Sequence, residues 1–206
     1  MCIRDRLCRY GVIRQMNTAT YQPLRKKITI ILGAITLLAS GCSQGHEETP
    51  SRKSTPDFGN IPGQFPVPAT LTENGSQTAP VGACVNVSGP PRDATLTIVG
   101  CGTRENTYRV IRRVVTPDQC QDADRPFYSN TSNDGEWTAC LDLAWDNNYC
   151  INISKQVTKV ACDDPSAKDK YKAVKIVIST VTKRDCGEDG YAHPVRQFTI
   201  CTETQK

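Results

Sequence analysis

The chain has 206 residues, 25 Lys/Arg against 21 Asp/Glu for a formal charge of +4, 11 cysteines and only 6% aromatic residues. The basic excess is local: residues 1–41 hold seven Lys/Arg and one Asp, and the rest of the chain holds 18 against 20. Beyond the leader the chain is therefore close to neutral, which excludes the basic footprint that a nucleic-acid binder needs.

Residues 1–15, with Cys2 and Cys8, read as a non-native extension, and Met16 as the start. Residues 16–41 read as a signal peptide. Arg25-Lys26-Lys27 precede an apolar run from Ile28 to Ala39, which Ser40-Gly41-Cys42 closes. That run is too short to cross a bilayer, which takes about 20 apolar residues, but it suits a secretory signal with small residues before the cut. Ala39-Ser40-Gly41-Cys42 resembles a lipobox, although Leu is commoner where Ala39 stands. The resemblance implies that the Cys42 thiol takes a diacylglyceryl group and that the peptide is cut before it. The chain is then expected on the extracytoplasmic face of the cell membrane, anchored by two or more acyl chains.

From Cys42 to Pro80 the sequence reads as a tether. Ser43–Pro80 contains six prolines in 38 residues, few large apolar groups and no periodicity. Such a segment is expected to stay disordered, with a root-mean-square span of about 35 Å.

Residues 81–206 contain an internal repeat. Cys84-Val85-Asn86-Val87-Ser88 matches Cys150-Ile151-Asn152-Ile153-Ser154, and Thr97-Ile98-Val99-Gly100-Cys101 matches Thr158-Lys159-Val160-Ala161-Cys162. Tyr108-Arg109 answers Tyr171-Lys172. Thr116–Cys120 answers Thr182–Cys186, and Trp137–Cys140 answers Phe198–Cys201. The division predicts two β units, 81–146 and 147–206. Each unit has four stretches rich in Val, Ile, Thr and aromatics: 84–88, 95–101, 108–115 and 136–143, then 149–153, 156–162, 171–181 and 195–202. Alternation along Lys172–Thr182 predicts one buried face carrying Val174, Ile176, Ile178 and Thr180. Short helical turns at Asp122–Ser129 and Asp163–Lys170 keep an α+β variant of this mainly β class open.

The eight cysteines downstream of an export signal predict four disulfides. Cys150 opens one strand and Cys162 closes the next, so they face each other across a hairpin within bridging reach. The repeat extends this to Cys84–Cys101, and Cys120–Cys140 and Cys186–Cys201 follow. Units of this size bury limited surface, so each bridge is expected to contribute about 2–4 kcal/mol.

At Val81–Val87, at Cys140-Leu141-Asp142 with Trp145 and Cys150, and at Arg196-Gln197-Phe198-Thr199-Ile200-Cys201, the chain resembles the LppU family of actinobacterial lipoproteins. More distantly it is similar to the septum-formation domain family. Relatives often have Asp where Ala83 stands. The resemblance implies a cell-envelope lipoprotein and transfers no catalytic residues.

Motifs for chemistry are sparse. There is no Gly-x-Ser-x-Gly, His-Glu-x-x-His, Gly-rich phosphate loop or Cys-x-x-Cys. His46 lies in the tether, and His193, before Pro194, reads as a surface-loop residue. Asp118, Asp122 and Asp124, Asp163 and Asp164, and Asp185, Glu188 and Asp189 match no calcium-loop template and read as solvated turns. No metal or cofactor is expected. Trp137 is expected in the core, opposite Phe198 of the second unit. Trp145, Tyr128 and Tyr191 are candidate binding residues, with Trp145 read either as packing between the units or as an exposed contact. These features favour a non-enzymatic binding module whose partner is an envelope protein or a cell-wall polymer. The rivals are a wall-acting enzyme using Asp142 and Asp146, and an inhibitor-like scaffold.

Overall fold

The computed structural model describes residues 54–206. The leader, Cys42 and His46 lie outside the described residues. Two antiparallel five-stranded sheets make up the domain. The first is built from β1 (Cys84–Ser88), β2 (Thr95–Ile98), β3 (Tyr108–Val114), β4 (Arg125–Thr131) and β5 (Gly135–Leu143) in the order β2-β1-β3-β5-β4. The second uses β6 (Cys150–Ile153), β7 (Val157–Val160), β8 (Lys170–Ile178), β9 (Asp189–His193) and β10 (Phe198–Gln205) in the order β7-β6-β8-β10-β9. The order is the same in both, strand for strand, as the sequence repeat requires.

The repeat extends to an irregularity. In the first sheet Val110 pairs with Leu141 and Arg112 with Cys140, so Ile111 is bulged out. In the second, Ala173 pairs with Thr202 and Lys175 with Cys201, leaving Val174 bulged at the matching position. A bulge adds one residue to one strand and reverses its in–out phase beyond that point. The expected buried face of 172–182 fails at the bulge, where Val174 is 37% exposed and Ala173 is buried. Beyond it Ile176 and Ile178 lie opposite the core residues Ile200 and Phe198 as expected, Ile176 packing against the core and Ile178, at the strand end, 44% exposed.

Two strands carry no clear signal in the sequence. The expected helical turn at Asp122–Ser129 is mostly β4, and β9 lies where no strand is expected; Asp163–Lys170 forms turns up to the start of β8. Both strands are sheet edges, where a proline such as Pro126 is tolerated because one side of the strand needs no ladder partner. Among the described residues the one helical element is a 3-10 turn at Pro117–Gln119, so the class is mainly β.

All four bridges form in the expected pairs: Cys84–Cys101, Cys120–Cys140, Cys150–Cys162 and Cys186–Cys201. Their Cα atoms lie 5.0–5.2 Å apart, ordinary for a disulfide.

The sheets share one hydrophobic core. Val85, Val110, Trp137, Ala139, Leu141 and Leu143 of the first meet Ile151, Ala173, Phe198 and Ile200 of the second. Trp137 and Phe198, at matching repeat positions, are both buried as expected.

The tether expectation is corrected from residue 54 onward. Residues 54–80 form a strap packed on the first sheet, with Phe58, Ile61 and Ala79 inside the shared core. Sparse as these apolar groups are, polar tie-points complete the docking. Arg113, itself 4% exposed, donates from Nε to the Thr72 carbonyl and from Nη1 to that of Ala79. Arg109 donates to the Gly59 carbonyl, Asn147 to that of Pro56, and Asp134 accepts from Gly75 N and Thr78 Oγ1. Leu71 N also donates to Arg113 O and Arg113 N to Ala69 O, pairing the strap with the end of β3 that β1 does not reach. Composition alone misses such a strap because its order comes from acceptors and donors supplied by the sheet.

Candidate functional site: a polar cavity and a buried arginine

Between the strap, the Cys84–Cys101 bridge and the β5–β6 junction lies a cavity of about 220 Å³. The junction is shaped by Asp146, whose Oδ1 accepts from the backbone N–H groups of Asn148 and Tyr149, folding the chain into a tight turn. The other carboxylate oxygen of Asp146 accepts from Lys159 Nζ on β7; the lysine side chain is 1% exposed. Arg109 on β3 supplies a second cation and Asp57 on the strap a second carboxylate, so the wall is formally neutral.

Polar atoms without protein partners concentrate here. Eight buried side-chain nitrogens or oxygens in the described residues have none, and four of them belong to residues lining this cavity. These are Gln64 Oε1, Asn106 Oδ1, Arg109 Nε and Trp145 Nε1. Gln64, Asn106 and Trp145 are each 5% exposed. Leaving a buried donor or acceptor unmade costs about 1–3 kcal/mol, and these four atoms are closed off from the cavity space as well as from protein partners.

A second constellation sits where the two units meet. Arg196, in the turn between β9 and β10, spends its guanidinium on the first unit. Nε donates to Asp122 Oδ2 at 2.7 Å, while Nη1 and Nη2 grip Asp142 Oδ2 and Oδ1 at 2.5 and 3.1 Å. The strap joins in through Gln64 O, which accepts from Nη1 at 2.9 Å. Burial opposes the charge of Arg196, but Asp142 and then Asp122 outweigh it and hold the guanidinium protonated above its ordinary range. Nη2 also faces His193 Nδ1 at 2.6 Å. Nδ1 lies as well 3.3 Å from the Asp122 carbonyl oxygen, and the other ring nitrogen, Nε2, faces Asp124 Oδ1 at 4.0 Å. The Asp124 side chain is only 16% exposed. Burial and the charge of Asp142 push its pKa up to about 6, against the pull of His193, the Leu143 N–H and Arg196.

His193 is thus not the surface-loop residue expected from the sequence: it ends β9, is 3% exposed, and stacks against Phe198. Trp145 is 5% exposed, its ring 5.0 Å from that of Tyr191, which settles its role as packing in the shared core, with one edge on the cavity wall. Tyr191 is half-buried on edge strand β9, and burial raises its hydroxyl pKa to about 12. Tyr128 is 46% exposed on edge strand β4 of the other sheet, donating to Glu136. The three candidate binding residues therefore do not form one patch. Asp142 and Asp146, the carboxylates of the enzyme rival, serve two separate ion pairs.

Arg196, Lys159, Asn106, Gln64 and Arg109 do not stand out as site residues in the sequence. For Arg196 a signal exists: aligned on Trp137 and Phe198, it stands against Gly135, so a large cation in one copy meets no side chain in the other. The others carry no signal, because their roles depend on the docked strap.

The fold and its two polar constellations define a disulfide-stapled, mainly β domain of two repeated sheets. No family model, curated protein or solved structure matches the chain.

Proposed function

We propose that the chain is a lipid-anchored protein of the cell envelope, held through Cys42 on the extracytoplasmic face of the membrane. Its two-sheet domain binds another envelope component without catalysing a reaction. The observation that carries the binding reading is the cavity beside the β5–β6 junction, walled by both polar and apolar side chains and bounded by the Cys84–Cys101 bridge. The pairing of Asp142 with Arg196 and of Asp146 with Lys159 supports a structural use of those carboxylates. The lipobox-like Ala39–Cys42, four disulfides and the similarity to the LppU family support the location.

Two measurements test this. Cys42→Ala should release or mis-sort the protein; retention in the membrane fraction with unchanged gel mobility refutes the anchor. Cross-linking in intact envelopes, followed by purification, should enrich a defined protein or polymer. Recovery of the chain alone refutes the binding reading.

A further inference from the structure

We propose that the outer edge of β8, from Ala173 to Ile178, takes an extended aliphatic segment of a partner protein as an added parallel strand; this rests on the binding reading above and gives it a partner class. In both sheets the first strand covers only the start of its longer neighbour. β1 pairs Cys84 with Arg109 and Val85 with Tyr108 of β3, and β6 pairs Ile151 with Tyr171 and Asn152 with Lys170 of β8. In the first sheet the strap covers what β1 leaves. Thr70 pairs in parallel with Arg113, whose N–H donates to Ala69 O and whose carbonyl accepts from Leu71 N. Ile176 stands at the position of Arg113: each follows the residue paired with Cys140 or Cys201, and they lie opposite Ala139 and Ile200. The Ile176 N–H and C=O therefore point to the same outer side. Among the described residues no backbone group meets them there.

Chain order leaves this gap. The strap precedes β1, whereas β6 is preceded by residues 144–149, which arrive from β5 with Ala144 and Trp145 held inside the core. No segment of the second copy is placed to do what Ala69–Leu71 do in the first. The side chains set the chemistry of the occupant. Arg113 also fastens the strap through the carbonyls of Thr72 and Ala79. Ile176 has no donor to do this, and Val174 and Ile178 on β8, with Val181 beyond it, are 37%, 44% and 57% exposed. Backbone hydrogen bonds and aliphatic contact are what this edge offers, as in strand addition, where the main chain supplies affinity and side chains supply specificity.

Other occupants fit less well. Residues 43–53 of this chain contain no Val, Ile, Leu, Met, Phe, Tyr or Trp. A second copy laying β8 on β8 across a two-fold axis would run antiparallel, against the parallel strap of the sister sheet. The terminal strands β2 and β7, and β4 and β9, end their sheets alike in both copies, so the repeat marks no occupant for them.

The test places a photo-crosslinking amino acid at Val174, and separately at Ile178, of the full chain in intact envelopes. Each adduct should join a different protein through one extended segment carrying Val, Ile or Leu, identified from the cross-linked peptide. The Val174 adduct should map N-terminal to the Ile178 adduct, as parallel strands require. A synthetic copy of that segment is then added to the oxidised protein purified from envelopes, and backbone hydrogen exchange is read residue by residue. Without peptide the Ile176 amide should exchange about tenfold or more faster than the strap-bonded Arg113 amide. With peptide it should slow about tenfold, the effect of one backbone hydrogen bond. Ile178→Lys should abolish the adduct at 174, and Val174→Lys the adduct at 178, with thermal unfolding unchanged, because lysine blunts an edge. The proposal is overturned if no adduct forms, if it joins a second copy, residues 43–53 or a polymer, or if the two adducts map in reverse order. It is overturned as well if Ile176 is protected without peptide, if peptide leaves its exchange unchanged, or if the lysine variants keep their adducts. General cross-linking in envelopes separates the two levels. A partner still captured by both lysine variants sinks the β8 edge and leaves the binding module standing, whereas recovery of the native chain alone sinks both.

Discussion

Replacing Arg196 by methionine keeps the length of the side chain and removes five hydrogen-bond donors from the junction of the two units. The carboxylates of Asp122 and Asp142 are then left 13% and 6% exposed with their cation gone. Removing one partner of a buried pair costs about 3–5 kcal/mol, because the remaining charge keeps its desolvation penalty and loses its compensation. For a domain of this size that corresponds to a fall in Tm of about 6–20 °C, at about 2–4 °C per kcal/mol. Urea unfolding of the oxidised protein, followed by tryptophan fluorescence, reads the change directly, since Trp137 and Trp145 are both in the shared core. Asp142→Asn in the Arg196→Met background should restore part of the loss by removing one stranded charge, which a cycle of the two variants measures. A loss below about 1 kcal/mol for Arg196→Met would show that water or side-chain movement relieves the carboxylates, and the account of the junction would fail.

Asp124 holds its proton more tightly in the folded chain, with a pKa of about 6 against the ordinary 3.8. Its contribution is therefore fully present below 3.8 and lost as pH rises through about 6. Native protein compared with Asp124→Asn should lose relative stability across that window, and a flat difference between those two values counts against the shift. Cys120→Ser with Cys140→Ser, which opens a bridge spanning 20 residues, should cost about 2–4 kcal/mol in chemical denaturation with the fold retained. Gly75 has φ +73°, and a Cβ there would fall inside the indole of Trp137. Gly75→Ala should therefore cost about 1–3 kcal/mol and speed proteolysis within 54–80; an unchanged digestion pattern would mean the strap is not docked as described.

The repeat makes most of the fold readable from sequence: two copies, their bridges, the inner strands of each and the burial of Trp137 and Phe198 come from matched blocks. What escapes depends on neighbours distant along the chain. Val174 reads as an alternating core residue until the bulge opposite Cys201 turns it outward. Residues 54–80 lack the apolar content of an ordered segment, and the arginines that fasten them, Arg109 and Arg113, lie on β3, distant along the chain. Lys170, which ends the expected helical turn, is fully buried at the start of β8, with Nζ donating to the carbonyls of Cys162, Asp164 and Lys206. The cavity is hidden for the same reason, since separated stretches of the chain build its wall.

The common core also bears on how the molecule comes apart. Each half presents an apolar face that its sister covers, with help from the strap, so the larger interior belongs to neither half alone. Severing the chain between 146 and 147 would yield two fragments that must find each other again or cling to strangers. The backbone link between the halves thus works as a permanent leash, turning what would be a concentration-dependent pairing into a single-molecule event.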